Sequence, residues 1–305
     1  DNHYSAEVAR SPSGETQAIP LPKSFRTLLT ATYDTADVAS SRSLGLALFD
    51  AVIGGEIRSR FDVSQQIAES QGKGLRLRLH IGPPELQTIP WEYLYDPRVA
   101  EYICLSRHTP IVRYLELPLP IQTLSVGLPL RILGMVASPD GAVPLDVDRE
   151  MALLQEALGP LREHSQVELV WLEGQTWRDL QRALQSGPWH IFHYIGHAGF
   201  DEQAGEGVLM IADEQQQPRL LRASELGRLL EDHTSLRLAV LNACESARGD
   251  DHSRFSSAAA TLARRGLPAV LAMQAAITDE AAIEFSRSFY AAMVAGLPVD
   301  AAVCE

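Results

Sequence analysis

The chain has 305 residues, which is enough for one large or two ordinary domains with a sizeable core. With 46% hydrophobic residues and a formal net charge of −13, its composition excludes collagen-like, low-complexity and strongly disordered proteins. The negative charge argues against nonspecific nucleic-acid binding and against binding to anionic membranes, because both need basic surfaces. No apolar run approaches the roughly 18 residues of a membrane-spanning helix. We therefore expect neither a nucleic-acid nor a membrane partner.

The first part of the chain is predicted as a flexible lead-in over residues 1–20, followed by an N-terminal α/β half over residues 21–125. Residues 75–81 alternate Leu, Arg, Leu, Arg, Leu, His and Ile, which is typical of a strand with one solvent-facing side. The predicted elements of this half are a strand over 28–33, helices over 41–52 and 58–71, and strands over 75–81, 91–95 and 110–114.

Residues 126–305 form the second predicted half, in which strands and helices alternate with short connections. This alternation predicts a mostly parallel sheet that is covered by helices on both faces. The predicted strands cover 131–137, 167–172, 191–195, 236–241 and 269–275, the predicted helices cover 146–158, 176–185, 224–232, 256–265 and 279–295, and a hairpin-like pair covers 208–212 and 219–221.

The two ends of the sequence and its cysteines indicate whether the chain is a fragment and in which compartment it folds. The sequence begins at Asp1 and stops within the first turns of a predicted helix, so we interpret it as a fragment of a larger protein. Its three cysteines, Cys104, Cys244 and Cys304, are odd in number and too widely spaced for a disulfide or zinc framework. A reducing cytoplasm fits this pattern, and we expect no metal and no cofactor.

Two residues with the chemistry of a catalytic pair follow two of the predicted strands. His197 is expected in the turn after strand 191–195, and Cys244 just beyond strand 236–241. The carboxyl ends of neighbouring parallel strands meet in one crevice, so the two side chains are expected to lie together. A thiol with an ordinary pKa near ~8.5 needs a base to become a nucleophile, and an imidazole titrating near ~6.5 can serve as that base. The pair therefore predicts a Cys–His dyad.

Sequence spacing and small neighbours support this dyad. His197 and Cys244 are 47 residues apart, close to the roughly 50 residues of caspase-type sequences. Ala198 and Gly199 follow the histidine, and Ala243 precedes the cysteine. Such small residues let a substrate backbone approach and leave N–H groups available to hold an oxyanion.

With these motifs in view, the second half resembles a CHAT domain, the caspase-like domain associated with tetratricopeptide repeats, in the group that includes caspases and separase. Two further strings resemble signatures in the N-terminal part of such proteins. They are residues 89–97 (IPWEYLYDP) and residues 106–114 (SRHTPIVRY).

The resemblance implies a fold and a set of roles. The fold is an α/β protein with a caspase-like three-layer α/β/α sandwich around a mostly parallel central sheet, preceded by an accessory or pseudo-caspase-like N-terminal half. His197 carries over as the general base and acid, Cys244 as the nucleophile, and the backbone N–H groups of Ala198 and Cys244 as the oxyanion hole. Asn242, two residues before the nucleophile, would line the pocket for the side chain preceding the cleaved bond, and Gly199 and Glu245 would also contact substrate. A neutral amide at 242 weakens a preference for Arg or Lys at that position.

Three functional classes stay open at this point. The first is a cysteine endopeptidase that cleaves a protein or peptide substrate and is regulated by an attached or partner sensor domain of the repeat or ATPase type. By family precedent it would act in bacterial signalling or immunity. The second is a catalytically silent CHAT scaffold that binds protein partners. The third is another cysteine hydrolase such as an amidotransferase, which would be expected to carry a G-x-C-x-G-like elbow where this chain has Asn242 and Ser246.

Overall fold

A computed structural model of the chain describes residues 4–30, 37–87, 89–115, 126–142, 145–244, 253–273 and 279–305. The chain folds into two compact units. The first comprises Asp1–Tyr114 together with Pro298–Glu305, and the second comprises Leu115–Leu297. The chain is mixed α/β, as predicted, and its larger sheet combines parallel and antiparallel strands.

The first unit combines helices with three two-stranded sheets in the part of the chain that the structure describes. Its helices pack around a core that includes Phe25, Leu48, Phe49 and Trp91. The elements are β1 Ser5–Ala6, β2 Ile19–Pro20, α1 Phe25–Thr30, α2 Val38–Val52, α3 Gly55–Ser70, β3 Leu77–Leu79, α4 Pro84–Gln87, β4 Tyr95–Asp96, β5 Glu101–Tyr102 and β6 Ile111–Arg113, with 3-10 helices at Trp91–Tyr93 and Ile103–Leu105.

Two predicted strands of this unit are wrong. Residues 91–93 of the predicted strand 91–95 form a 3-10 helix, and only Tyr95 of that range lies in a strand, β4. Residues 28–30 of the predicted strand 28–33 lie in helix α1, and residues 31–33 lie outside the described residues. The physical reason is that Phe25, Leu28 and Leu29 recur at helical spacing, which turns them together towards the core around Trp91. An apolar run this short is compatible with either a strand or a helix until its packing partner is known.

An ion pair joins the two strings that resemble family signatures. It runs from Arg113, in the string at 106–114, to the string at 89–97. The guanidinium of Arg113 forms a two-point ion pair with Glu92, with both N···O distances at 2.8 Å. It also donates to the backbone carbonyls of Gln87 and Ile89. A planar guanidinium suits such multiple, directional contacts. The contacts of Arg113 within the first unit are therefore structural.

The C-terminal residues pack with the first unit, whereas our sequence-based boundary assigned them to the second half. A short helix, Val299–Ala302, carries Asp300, which forms a two-point ion pair with Arg76. The last residue, Glu305, pairs with Arg107 at 3.3 Å. These charge pairs join segments that are about two hundred residues apart in sequence, so composition near the C-terminus could not reveal them.

In its described residues, the second unit contains a seven-stranded sheet with helices against it. Strand and helix alternate along this unit, as the sequence predicted. The elements are β7 Leu130–Val136, α5 Val147–Glu163, β8 Val167–Trp171, α6 Trp177–Gln185, β9 Ile191–Asp201, β10 Glu206–Ala212, β11 Pro218–Arg222, α7 Ala223–Glu231, β12 Leu238–Cys244, α8 Ser253–Arg264, β13 Ala269–Ala272 and α9 Asp279–Val294.

Five strands of the sheet are parallel, in the order β8, β7, β9, β12 and β13. The other two, β10 and β11, join through the second half of β9 and run antiparallel. β9 is thus the central strand of the parallel part and also the first strand of an antiparallel extension. This double role brings its middle residues to the point where the two parts of the sheet diverge.

Helices contact both faces of the sheet, because successive strand residues point to opposite sides. On one face, Phe192 and Tyr194 of β9 belong to a core cluster that also contains leucines from α6, α7 and α8. On the other face, His193 of β9 lies beside Phe289 and Tyr290 of α9. Near-continuous burial of β7 and β9 explains why their sequences read as apolar runs.

Candidate functional site

The two candidate catalytic residues lie on neighbouring strands in direct register. β9 and β12 pair in parallel from Ile191 opposite Leu238 to His197 opposite Cys244. Cys244 is the last residue of β12, at the carboxyl end of the strand. The backbones of neighbouring strands are about 4.8 Å apart. The register therefore brings the backbone positions of His197 and Cys244 together at the carboxyl edge of the parallel strands.

The prediction that His197 lies in a turn is wrong. β9 does not end at Ile195 but continues to Asp201, and His197 is buried within it, with 2% of its surface exposed. β9 separates from β7 after the pair of Ile195 with Val136 and then pairs antiparallel with β10. The second partner strand extends β9, and this long-range pairing is not visible in the local glycine-rich sequence.

The turn occurs after the predicted position, between β9 and β10. The Asp201 carboxylate accepts the backbone N–H groups of Gln203 and Ala204, at 3.0 and 3.1 Å. Gly205 has a φ of +67°, in the left-handed region that favours glycine. The hairpin is thus closed by an Asx-type turn. Arg222 of β11 also pairs with Asp201, at 3.0 Å, which ties the turn to the edge strand.

The predicted oxyanion and substrate residues after the histidine belong to the same strand. Ala198 pairs with Leu209 and Gly199 with Val208 in the antiparallel part of the sheet. A Cβ at position 199 would meet only Val208, at an ordinary 3.6 Å. Packing therefore does not require glycine at this position. Glu245 lies outside the described residues.

Asn242 is half-buried near the end of β12 and borders a small pocket between the sheet and α9. Ala282, Phe285 and Ser286 of α9 form one wall. Val240 and His193 lie deeper, on the side remote from the end of the strand. No carboxylate lines the described part of this pocket. Asn242 and position 244 are two residues apart in one strand, so they share a face of the sheet.

A buried histidine–tyrosine pair lies at the base of this pocket. The Nδ1 atom of His193 is 2.6 Å from the hydroxyl oxygen of Tyr290, and the two rings are stacked. Burial lowers the pKa of His193 to about 4, so its ring is neutral at ordinary pH. Burial also raises the pKa of Tyr290, so the hydroxyl stays protonated and can donate to the ring nitrogen. The pair is an internally satisfied polar contact.

The neutral state of His193 predicts a specific dependence of stability on pH. Its folded-state pKa of about 4 lies below the ordinary value near 6.5, so between these values the unfolded chain binds the additional proton. The contribution of His193 is therefore complete above about pH 6.5 and is lost as pH falls towards 4, by up to roughly 3 kcal/mol. We expect denaturant unfolding of the wild type between pH 4 and 7.5 to show this slope.

The matched control for that measurement is His193→Phe, which removes the titrating group. The variant should have a flatter pH dependence over the same window, whatever its absolute stability. Equal slopes in the two proteins would contradict a buried neutral imidazole at this position.

Sequence reasoning missed two tyrosines that contact the strand of the candidate site. Tyr290 contacts His193 from a helix 97 residues further along the chain, and no local pattern signals this. Tyr194 is fully buried, and its hydroxyl oxygen lies 2.9 Å from the carbonyl oxygen of His197. A signal for Tyr194 did exist, since Gly196 follows two residues later on the same face of the strand, where a large ring needs a small neighbour.

Metal ligation and membrane spanning have no support in the described residues. Within those ranges, no group of three or more His, Cys, Asp or Glu side chains is arranged to hold a metal ion. The helices of the same ranges include none that is long and apolar enough to cross a membrane.

Comparison with known protein families identifies the chain. The model of the CHAT domain matches residues 42–305, which is most of the sequence, and the chain therefore belongs to the CHAT family. CHAT domains are related to caspase-like peptidases. The mixed α/β fold described above, with its sheet of parallel and antiparallel strands, is consistent with that relationship. A comparison with curated proteins gives no match.

Proposed function

We propose that this CHAT chain is a cysteine endopeptidase that uses Cys244 as nucleophile and His197 as general base. The observation that carries the proposal is the register of β9 and β12, in which the two positions lie opposite one another. These two residues of complementary chemistry are 47 residues apart in sequence and share one register pair at the carboxyl end of β12. Membership of a peptidase-related family supports the same conclusion.

The proposed reaction follows from the chemistry of the two groups. His197 accepts the thiol proton of Cys244, and the resulting thiolate attacks the carbonyl carbon of the substrate peptide bond. The N–H groups of Ala198 and Cys244 stabilise the negative oxygen that forms. The imidazolium then gives its proton to the leaving amine as the C–N bond breaks, which leaves a thioester on Cys244. Water, deprotonated by His197, hydrolyses the thioester and restores the thiol.

The arrangement of the sheet and its helices also supports this proposal. We propose that the parallel sheet and the helices on its two faces form a caspase-like three-layer sandwich. In such an arrangement the carboxyl edge of the strands is the usual location of a ligand site. The first unit, with its small sheets and helical core, would be an accessory or pseudo-caspase-like half.

We also propose which residues select the substrate and what kind of partner controls cleavage. Asn242, Gly199 and Glu245 would contact the substrate, with Asn242 nearest the side chain that precedes the cleaved bond. The described wall of the pocket beside Asn242 carries no acidic residue, which favours a neutral residue at that position. The substrate would be a protein or peptide in the cytoplasm. A sensor domain or subunit of the repeat or ATPase type would control cleavage in bacterial signalling or immunity.

A peptide-library digest tests the proposal. The wild type and Cys244→Ala are incubated with peptides derived from a proteome, with and without full-length flanking regions, and the new termini are identified. We expect cleavage by the wild type that Cys244→Ala abolishes. Cys104→Ala and Cys304→Ala are matched controls, because both thiols lie in the first unit and are half-buried. These two variants should cleave like the wild type, whereas an absence of wild-type cleavage under all conditions would favour a binding scaffold.

A further inference from the structure

We propose that Tyr194 is a positioning residue of the candidate active site, acting through the peptide that joins His197 to Ala198. This inference rests on the proposed function, since it assigns Tyr194 a role in the geometry of that site. Tyr194 does not reach the substrate itself. It lies on the face of β9 that packs against α6, α7 and α8.

The hydroxyl of Tyr194 bridges the two strands that diverge at the site. Its oxygen lies 2.9 Å from the carbonyl oxygen of His197 on β9 and 2.7 Å from the carbonyl oxygen of Met210 on β10. A tyrosine hydroxyl has one hydrogen, so the two carbonyls share one donor. Burial raises the pKa of Tyr194, which keeps that hydrogen in place. The contact lies immediately beyond the last pairing of β9 with β7.

The ring of Tyr194 is held against the backbone by the absence of a side chain at Gly196. A Cβ at position 196 would lie within 3.0 Å of both the hydroxyl oxygen and Cζ of Tyr194, a separation that real Cβ atoms essentially never show. The ring therefore lies along the strand from Tyr194 to the carbonyl of His197. Tyr194 is 0% exposed, so bulk water does not compete for the hydrogen bond between its hydroxyl and the His197 carbonyl.

Peptide geometry connects this contact to the site. The carbonyl of His197 and the N–H of Ala198 belong to one planar trans peptide, in which they point in opposite directions. A donor that fixes the carbonyl therefore also fixes the direction of the Ala198 N–H, which is the proposed oxyanion donor. It also restrains the Cα atom from which the His197 imidazole extends. Preorganised donors and bases give their full effect only when their orientation is set in advance.

Tyr194→Phe tests the inference, because it removes the hydroxyl and keeps the ring. Steady-state cleavage of the best library peptide gives kcat and KM. The pH midpoint of iodoacetamide alkylation of Cys244, measured in a background with Cys104→Ala and Cys304→Ala, reports how well His197 stabilises the thiolate. We expect kcat to fall by about thirtyfold with KM unchanged, as for partial loss of an oxyanion contact. The alkylation midpoint should rise.

Trp189→Phe is the matched control. Trp189 is also buried in the second unit, and its indole N–H donates to the carbonyl of Ala183 at 2.8 Å, near the opposite end of β9. This variant loses one buried donor to a backbone carbonyl and creates a cavity as well. Its kcat and alkylation midpoint should match the wild type within about twofold, even if its thermal stability falls further than that of Tyr194→Phe.

Incorporation of 4-aminophenylalanine at position 194 supplies a conservative rescue. It restores a donor at the same place and should give a kcat between those of the wild type and Tyr194→Phe. If Tyr194→Phe fails to fold, 4-fluorophenylalanine at position 194 takes its place, since it fills the volume of the hydroxyl and has no hydrogen to donate. A wild-type kcat and midpoint in that variant would overturn the inference. A wild-type kcat and midpoint in folded Tyr194→Phe would overturn it directly. If the wild type cleaves no peptide, the proposed function fails, while the alkylation midpoints still decide whether Tyr194 positions His197.

Discussion

Replacing His197 with alanine should lower the rate of peptide cleavage by about a thousandfold, within the 10²- to 10⁴-fold range typical of a lost general base. His197 lies opposite Cys244 in the register of β9 and β12. Without it, no proposed group accepts the thiol proton or protonates the leaving amine. The measurement is kcat/KM on the best library peptide for wild type and His197→Ala.

Thiol alkylation separates a chemical cause from a structural one. In the proposed dyad the pH midpoint of Cys244 alkylation lies below the ordinary thiol pKa near ~8.5, and in His197→Ala it should move towards that value. The control is His164→Ala, which changes an exposed histidine after α5 in the same unit. The control should keep the wild-type rate and midpoint. Wild-type cleavage by His197→Ala would refute the dyad.

The pairing register of β9 and β12 determines that His197 and Cys244 lie opposite one another. A shift of β12 by one residue along β9 would turn its side chains to the opposite face of the sheet. The observed register is held along seven consecutive pairs, from Ile191 with Leu238 to His197 with Cys244. Strand β12 is also paired on its other side with β13. The relative position of the two candidate residues is therefore set by the whole central sheet and not by a single loop.

Local sequence patterns were sufficient to predict most helices and parallel strands of the second unit. A helix was predicted over 176–185, and the structure shows a full capping box at its start, in which Thr176 and Asp179 satisfy each other's backbone N–H groups. The parallel strands were predicted as apolar runs because helices cover both of their faces. The first residues of these strands are confirmed to within two positions, whereas β9 continues to Asp201, six residues beyond its predicted end.

Long-range contacts account for what sequence reasoning missed. The extension of β9 depends on pairing with β10, whereas the sequence predicted that the strand ends at residue 195. The hydroxyl of Tyr194 contacts the backbone of His197 only because the two parts of the sheet diverge there. The C-terminal helix joins the first unit through Arg76, far away in sequence. Each of these features needs a partner that no local window contains.

Gly45→Ala should destabilise the first unit by about 3 kcal/mol, the upper end of the usual cost of overpacking a core. Gly45 is buried in α2 and faces the string at 89–97. A Cβ at this position would lie well inside 3.0 Å of the carbonyl oxygen of Tyr93 and 2.9 Å from the Cβ of Tyr95. Because a backbone atom makes the closest contact, a rotamer change cannot relieve the clash. The cost exceeds the gain of about 1 kcal/mol that alanine brings inside a helix.

The measurement is the midpoint of unfolding in denaturant, followed by circular dichroism. Gly82→Ala is the matched control in the same unit, since it adds the same methyl group where no atom lies within 4 Å. It should leave the midpoint unchanged or raise it slightly, because alanine restricts the unfolded chain. An equal midpoint for Gly45→Ala would show that α2 can move away from the string at 89–97. A selective loss would show that packing against α2 requires the string at 89–97, which lies within the residues that the CHAT model matches. No role in catalysis is then needed to explain that string.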